Sequence, residues 1–415
     1  MGSDILFMKR WNNLLSIAIL ILCVLAVLTF IWKGVVSARE PFSHGYVGYY
    51  AAFKLFIEEG WSAKVYDNSW FSAYSLSVSD GKVGEVVRPN IPTMAMVGFP
   101  TAFFPLASGR VVWVIEGMLF AVAGIVFLCA AIRPQKTWEF YGLTFAFALF
   151  FPPLIRNLEI GQAYLSIFFL LGLFLYGIQT KHDGLAGATL ALAFMLKTAG
   201  LFLWFIPFIH RKWGVLVWGI GVSIFIALIT LPKTGLDTWQ AYPSTLWETN
   251  SDPILTATAY QSIPGLLNHL FRYHELWSPA PLLEAPALAR TLVYGTAFLG
   301  LGYTLWKIRK ASLDLQTAAL LTLNTLIIPL VEEHQLVLML IPITLLSANI
   351  VKFPFHWQRE RASVLLLLAG VILLILPIPY KNPLLHVGWV SFLAYPRVYG
   401  NILLWILALK RVDVE

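Results

Sequence analysis

The run FYGLTFAFALFFPPLIRN (140–157), LEIGQAY (158–164), LSIFFLLGLFLYGIQ (165–179) decides how the chain is read. Its outer parts are too apolar to face water. Between them stand a carboxylate, a glycine and a carboxamide, Glu159, Gly161 and Gln162, at the mouth of what must be membrane segments. Polar groups at that depth are costly and need either a partner or a task.

The rest of the chain agrees with a membrane setting. Of 415 residues, 58% are hydrophobic and only 12% charged, where a soluble domain carries about a quarter charged residues. The mean hydropathy is +0.73. Phe, Trp and Tyr make up 15%, which suits interfacial belts and stacking surfaces. The net charge of +7 is explained by basic cytoplasmic loops, so no nucleic-acid partner is expected. Cys23 and Cys129 both fall inside apolar runs and point to neither a disulfide nor a metal site. The first apolar run, Leu14 to Trp32, is long enough to span and has no small-residue cleavage site after it, so it reads as a retained helix.

Spanning segments are expected at 14–36, 109–132, 138–155, 163–179, 213–231, 288–306, 313–331, 335–350, 362–379 and 396–410. The fold class is therefore an all-α polytopic membrane protein of about 10 spanning helices, one integral domain over 1–415. The short basic stretches MKR (8–10), RPQK (133–136), HRK (210–212), KIRK (307–310) and QRER (358–361) belong in the cytoplasm. Both termini then lie inside, and two long loops, 37–108 and 232–287, face the exterior. The apolar stretch 184–209 has basic residues at both ends, so it must enter and return. About 12 residues of helix rise only ~18 Å, short of the ~30 Å hydrocarbon core. A short helical hairpin is expected, with Lys197 at its buried turn and facing a polar cavity, where non-helical backbone is tolerated.

Several clusters suit chemistry. Lys197 is either a cation for a phosphate oxygen or a snorkelling, structurally paired lysine. Glu332, Glu333, His334 and Gln335 join two apolar runs with almost no loop, and His334 can donate to a phosphate or move a proton. The first exterior loop offers Glu40, His44, Asp67, Asp80 and Glu85 as acids or bases. Within it, Tyr49 to Ile57 reads as an amphipathic surface helix, and the proline-rich run 91–107 as re-entrant or interfacial. The second loop brings Trp239, Tyr242, Trp247, Tyr260, Gln261, Ser262, Asn268 and Trp277, a composition that suits a sugar or a lipid headgroup as well as interfacial anchoring. No Walker loop, dinucleotide glycine motif or HExxH is present, and nothing in the sequence requires a metal or other cofactor.

Five segments in order resemble glycosyltransferase family 87, polyprenyl-phosphate-sugar-dependent transferases of the GT-C fold. LEIGQAYLSIFFLLGLFLYGI resembles its GQ-N segment. GLAGATLALAFMLKTAGLFLWFIPFIHRKW (184–213) resembles its lysine-proline segment, YQSIPGLLNHLF (260–271) its N-Q-S motif, and PLVEEHQLVLMLIP (329–342) its P-L-S-W-D-H-Y-L-V segment. YVGYYAAFKLF (46–56) and NIPTMAMVGFPTAFFPLA (90–107) resemble its D-F-x-x-Y-Y and N-P-P motifs. The resemblance covers about residues 40–350. It implies a GT-C-type bundle and an exterior cavity where a lipid-linked donor meets its acceptor. Gln162 and Glu159 would line that cavity, and Lys197 and His334 would hold the donor phosphate. Tyr49, Tyr50, Asn90, Gln261, Ser262 and Glu333 would contact substrate.

The chain departs from the family where a base is expected. Aligning Tyr49 and Tyr50 places Gly45 at the family's aspartate. An inverting transfer needs a group to take the acceptor's hydroxyl proton. His44, one residue away, is favoured, then Glu40, then Glu159. Ala163 also replaces the asparagine of GQ-N, and Thr198-Ala199 the proline region after the lysine. The expected activity is hexosyl transfer, mannose-like, from a polyprenyl-phosphate sugar to a lipid or glycan acceptor, on the outer face of a bacterial plasma membrane and in contact with membrane lipids. A flippase for lipid-linked sugars and a noncatalytic scaffold of a glycan assembly complex are the alternatives.

Overall fold

The computed structural model describes residues 2–132, 137–351, 356–377 and 379–414, with side chains from residue 13 onward. The basic loop 133–136 lies outside the described residues, as do the side chains of 8–10. Helices α1 (Gly2–Ala38), α2 (His44–Glu58), α3 (Asn68–Val78), α4 (Leu106–Ala131), α5 (Trp138–Phe150) and α6 (Pro152–Ile160) come first. They are followed by α7 (Tyr164–Gln179), α8 (Asp183–Lys197), α9 (Phe205–Ile209), α10 (Trp213–Thr234), α11 (Leu236–Ser251) and α12 (Ile263–Phe271). The chain ends with α13 (Pro286–Ile308), α14 (Leu313–Ile327), α15 (Leu340–Ile350), α16 (Trp357–Ile375) and α17 (Pro396–Val412). Among the described residues, β-pairing is limited to two isolated bridges.

The protein is an all-helical membrane protein. Among the described residues, four helical spans are long and apolar enough to cross a bilayer: Asn13–Ala38, Leu106–Ala131, Trp213–Thr234 and Glu333–Ile350. Counting each of two bent pairs as one span gives six. The segment expected as one helix over 138–155 breaks at Phe151, where α5 and α6 meet at 42°. The cause is local: Pro152 cannot donate to the ladder of α5 but suits the first turn of a new helix.

Burial sorts the spans into layers. In Asn13–Ala38 and Trp213–Thr234 only 17% and 22% of the most apolar window is buried, against 83% in Glu333–Ile350. The first two present side chains such as Leu20, Val217 and Phe225 outward, a surface that belongs in lipid. The last span runs through the protein core beside α14, whose Leu315, Leu320 and Leu321 are fully buried. α4 packs along α7, α8 along α10, and α16 along α17.

The first long loop folds into a cap with its own core. α2 is not a surface helix: Val47, Ala51, Ala52 and Phe53 are buried along with its tyrosines, and α2 packs on the 3-10 turn 92–98. Its apolar residues are too evenly spread for one lipid-facing stripe. α3 starts at Asp67, whose Oδ1 accepts from the N–H groups of Ser69 and Trp70. Asp67 is thus a helix cap. The proline-rich run contains only the short turns 92–98 and 101–103.

α8 ends on Lys197. Thr198 (φ 51°) and Gly200 (φ 69°) both take left-handed backbone there, and the chain continues through the turn 201–204 into α9. The break stands at the lysine that the sequence singled out.

Candidate active site

α6, α7, α8 and α2 meet at one cavity of about 400 Å³, within the ~300–1,000 Å³ typical of small-ligand sites. LEIGQAY forms its hinge. α6 closes on Gly161 (φ 72°), where a Cβ would stand 2.5 Å from the Tyr46 Cβ, so only glycine fits. Gln162 then points inward and accepts from the Tyr49 hydroxyl at 2.7 Å. Glu159 points away. It pairs with Lys33 at 3.1 Å and Arg156 at 3.4 Å, and does not line the cavity.

Arg110 locks this hinge. The side chain is fully buried in α4. Its Nη2 donates to the carbonyls of Leu158 (2.6 Å) and Glu159 (3.2 Å), and its Nε to those of Ser37 (3.1 Å) and Glu40 (3.2 Å). A cation placed on carbonyls at the ends of two helices offsets their unpaired acceptors. The sequence signal is a single arginine near the start of an apolar run, with no local pattern to set it apart.

Lys197 is the cation of the cavity with donors to spare; Arg88 also lines it but is paired with Glu248 at 3.4 Å and donates to Thr249 Oγ1 at 3.1 Å. The Lys197 Nζ donates to Asn90 Oδ1 at 2.8 Å and lies over two aromatic faces, 5.2 Å from the centre of Tyr49 and 5.6 Å from that of Tyr164. An ammonium has three donors, so two remain for a ligand. Tyr49 is itself fixed, stacked on Trp113 at 5.3 Å. His334 is buried beside Tyr164, ring centres 5.3 Å apart, with Nδ1 3.7 Å from Glu332 Oε2. Its carbonyl accepts from Asn157 Nδ2 at 2.7 Å, tying this segment to α6. An anion reaching Lys197 would therefore meet a lysine already oriented by tyrosine faces and an amide.

Of the residues expected at the site, Lys197, His334, Gln162, Tyr49 and Asn90 line the cavity. The others do not. Tyr50 donates to the Phe104 carbonyl at 2.8 Å, inside the cap. Gln261 is buried and donates to the carbonyls of Thr258 and Ala394. Ser262 caps α12, accepting from Gly265 N–H. Glu333 is held by Arg397 at 2.9 Å. Glu40 is exposed outside the cavity. His44 is 79% exposed and touches the site through Glu85, with Nδ1 3.0 Å from Glu85 Oε1. From the second loop, Tyr260 lines the cavity, joined by Leu246, Thr249 and Asn250. Trp239, Tyr242, Trp247, Asn268 and Trp277 do not.

Two carboxylates stand among the lining residues, Glu85 and Glu332. Burial pushes the Glu85 carboxyl up to about 8, and Glu332 acts in the same direction, while the Val86 N–H and Lys197 pull it down. Glu85 was one of five loop candidates, and no local pattern set it above the rest.

Residues 90–332, more than half of the chain, match the model of glycosyltransferase family 87. No curated protein and no solved structure matches the chain.

Proposed function

We propose, from the premise that this chain belongs to glycosyltransferase family 87, that it moves a hexose from a polyprenyl-phosphate sugar to the hydroxyl of a lipid or glycan acceptor. The transfer takes place on the exterior face of a bacterial plasma membrane, in a GT-C-type bundle of about ten spans with both termini in the cytoplasm. The single observation that carries this is Lys197. It is a lysine at a helix break, with two donors uncommitted, in a cavity walled by Tyr49, Tyr164, Asn90 and His334.

The chemistry follows from charge. As the bond from sugar C1 to the phosphate oxygen breaks, negative charge grows on the polyprenyl phosphate. A fixed ammonium there stabilises the transition state more than the ground state, and does so without reorganising. His334 and Gln162 complete the donor pocket, and Asn90 holds the lysine. Tyr260 and Asn250 add a hydroxyl and an amide to the lining, suited to an acceptor glycan. One phosphate carries little charge, and Lys197 suffices to meet it. Transfer should survive EDTA undiminished; strict metal dependence would count against this arrangement.

The test is product formation from short-chain polyprenyl phosphosugars by purified protein. Donor consumption with matching product in wild type, lost in Lys197→Ala, supports transfer at this site. Movement of the lipid-linked sugar across proteoliposomes without bond formation would instead favour a flippase.

A further inference from the structure

The proposed transfer needs a base, and the position where the family resemblance expects one is Gly45. That position cannot hold a side chain. A Cβ on Gly45 would stand 2.9 Å from the backbone oxygens of Ile160 and Gly161 and from Gln162 Nε2. The first turn of α2 is pressed against the hinge, so even an alanine would force backbone apart.

A carboxylate reaches the same part of the cavity from another element. Glu85 sits in the connector between α3 and the turn 92–98. Its N–H donates to Ser75 Oγ at 2.8 Å, which anchors it to α3. Its stem lies on Gly48, one turn beyond Gly45 in α2, where a Cβ would be 3.4 Å from both Glu85 Cβ and Cγ. Its Oε1 is 3.0 Å from His44 Nδ1. Glu85 is 20% exposed and lines the cavity, while His44 stands outside it. Glu332, the other lining carboxylate, lies beside His334 on the side of the cavity that carries the leaving phosphate in the proposed function. A base is of no use there.

We propose that Glu85 is the general base that takes the acceptor's hydroxyl proton, and that His44 is its positioning residue. This rests on the transferase function proposed above. The acceptor oxygen forms its bond to sugar C1, and the C1–O bond to phosphate breaks with its electron pair going to the polyprenyl phosphate. The hydroxyl proton passes to the Glu85 carboxylate and leaves to water through the open cavity. With its proton on Nδ1, His44 would donate to Glu85 Oε1 and favour the ionised form. The groups facing Glu85 are His44 and Tyr49 on α2, Lys197 on α8, and Glu332 ahead of the turn 333–339, with Arg88 on its own segment. Since the carboxyl is raised to about 8 and acts ionised, kcat/KM should rise as the pH is brought up toward that value. Removing the His44 donor should move this rise to higher pH.

The experiment compares wild type, Glu85→Gln, Glu85→Asp, His44→Ala and His44→Gln. Transfer is followed from a farnesyl phosphate hexose, and binding of farnesyl phosphate alone is measured by calorimetry. Glu85→Gln should lower kcat about 100-fold or more, the low end of general-base contributions, with farnesyl phosphate affinity retained. Glu85→Asp should recover part of the loss. His44→Ala should shift the pH profile upward, and His44→Gln should restore it in part. Gly45→Asp should not rescue Glu85→Gln. If wild type transfers and Glu85→Gln keeps its kcat, the base is wrong and the transferase stands. If Glu85→Gln loses farnesyl phosphate binding as well, Glu85 is structural and the assignment falls. If wild type transfers nothing over a panel of such donors, the transferase function falls and the base with it.

Discussion

The two walls of the cavity are built in opposite ways. On one, Lys197 ends α8 at a break that lies in the middle of an apolar stretch, and its partners Asn90 and Tyr164 lie within the family match, with Tyr49 ahead of it. On the other, α2 carries glycines at 45 and 48, and Glu85 arrives from a connector about 40 residues later; these residues precede the matched span. The first wall depends on one costly residue placed where it stands out. The second depends on small residues that make room and on a carboxylate that nothing nearby distinguishes. A cation for phosphate is fixed by helix geometry, whereas the opposite group can be supplied from any loop that reaches the space.

Substitutions can break this contrast. Lys197→Ala should have the largest effect on catalysis, lowering kcat by about 10²–10³-fold, the usual cost of one preorganised charge-stabilising donor. Lys197→Ala should also weaken farnesyl phosphate binding, which Glu85→Gln should leave intact. If both variants lose binding alike, the walls do not divide the work between phosphate and base.

Arg110→Ala tests the hinge that holds the walls together. It leaves the carbonyls of Leu158, Glu159, Ser37 and Glu40 without their shared donor. The Ser37 carbonyl keeps the Glu40 N–H and Glu40 is exposed, so the Leu158 carbonyl is the group left buried. A buried unpaired group costs ~1–3 kcal/mol, and a loss of about that size is expected, read as a lower Tm in detergent. An unchanged Tm would show that the hinge does not depend on the arginine.

Tyr49→Phe is a milder probe. It removes the 2.7 Å bond to Gln162 and keeps the ring face under Lys197. A net hydrogen bond is worth ~0.5–1.5 kcal/mol, so KM for donor should rise about 2- to 12-fold with kcat little changed. A larger fall in kcat would put the hydroxyl in the chemistry.

The smallest effect belongs to Glu159→Gln and Glu40→Gln. Both side chains lie outside the cavity. The pairs of Glu159 with Lys33 and Arg156 are partly exposed, and such pairs contribute ~0–1 kcal/mol. Transfer should be unaltered, and loss of activity in either would return them to the list of bases.

How much could be read ahead of the structure depended on whether the signal was local. The break at Lys197 was legible because a lysine within an apolar stretch leaves few options. The inward turn of Gln162 was legible with it, although its neighbour Glu159 faces the other way. Two residues at one mouth take opposite directions because Gly161 reverses the chain between them. Ser262 and Gln261 look like sugar ligands in sequence, yet one caps α12 and the other is spent on backbone carbonyls. Hydroxyls and amides serve backbone and ligand equally well, so composition cannot separate the two uses.

The sequence by itself determined that this is a polytopic helical membrane protein of glycosyltransferase family 87 with a lysine at a helix break. Those conclusions rest on transfer free energies and short motifs, which add up along the chain. Only the tertiary structure decided which of the loop's acids enters the cavity, that α2 is buried within the cap, and that Arg110 clamps the hinge. Each depends on a contact between residues some 40 to 70 positions apart: Glu85 with His44 and Gly48, Arg110 with Ser37 and Leu158. Such contacts are set by how helices pack around small residues, and packing leaves no periodic trace in sequence.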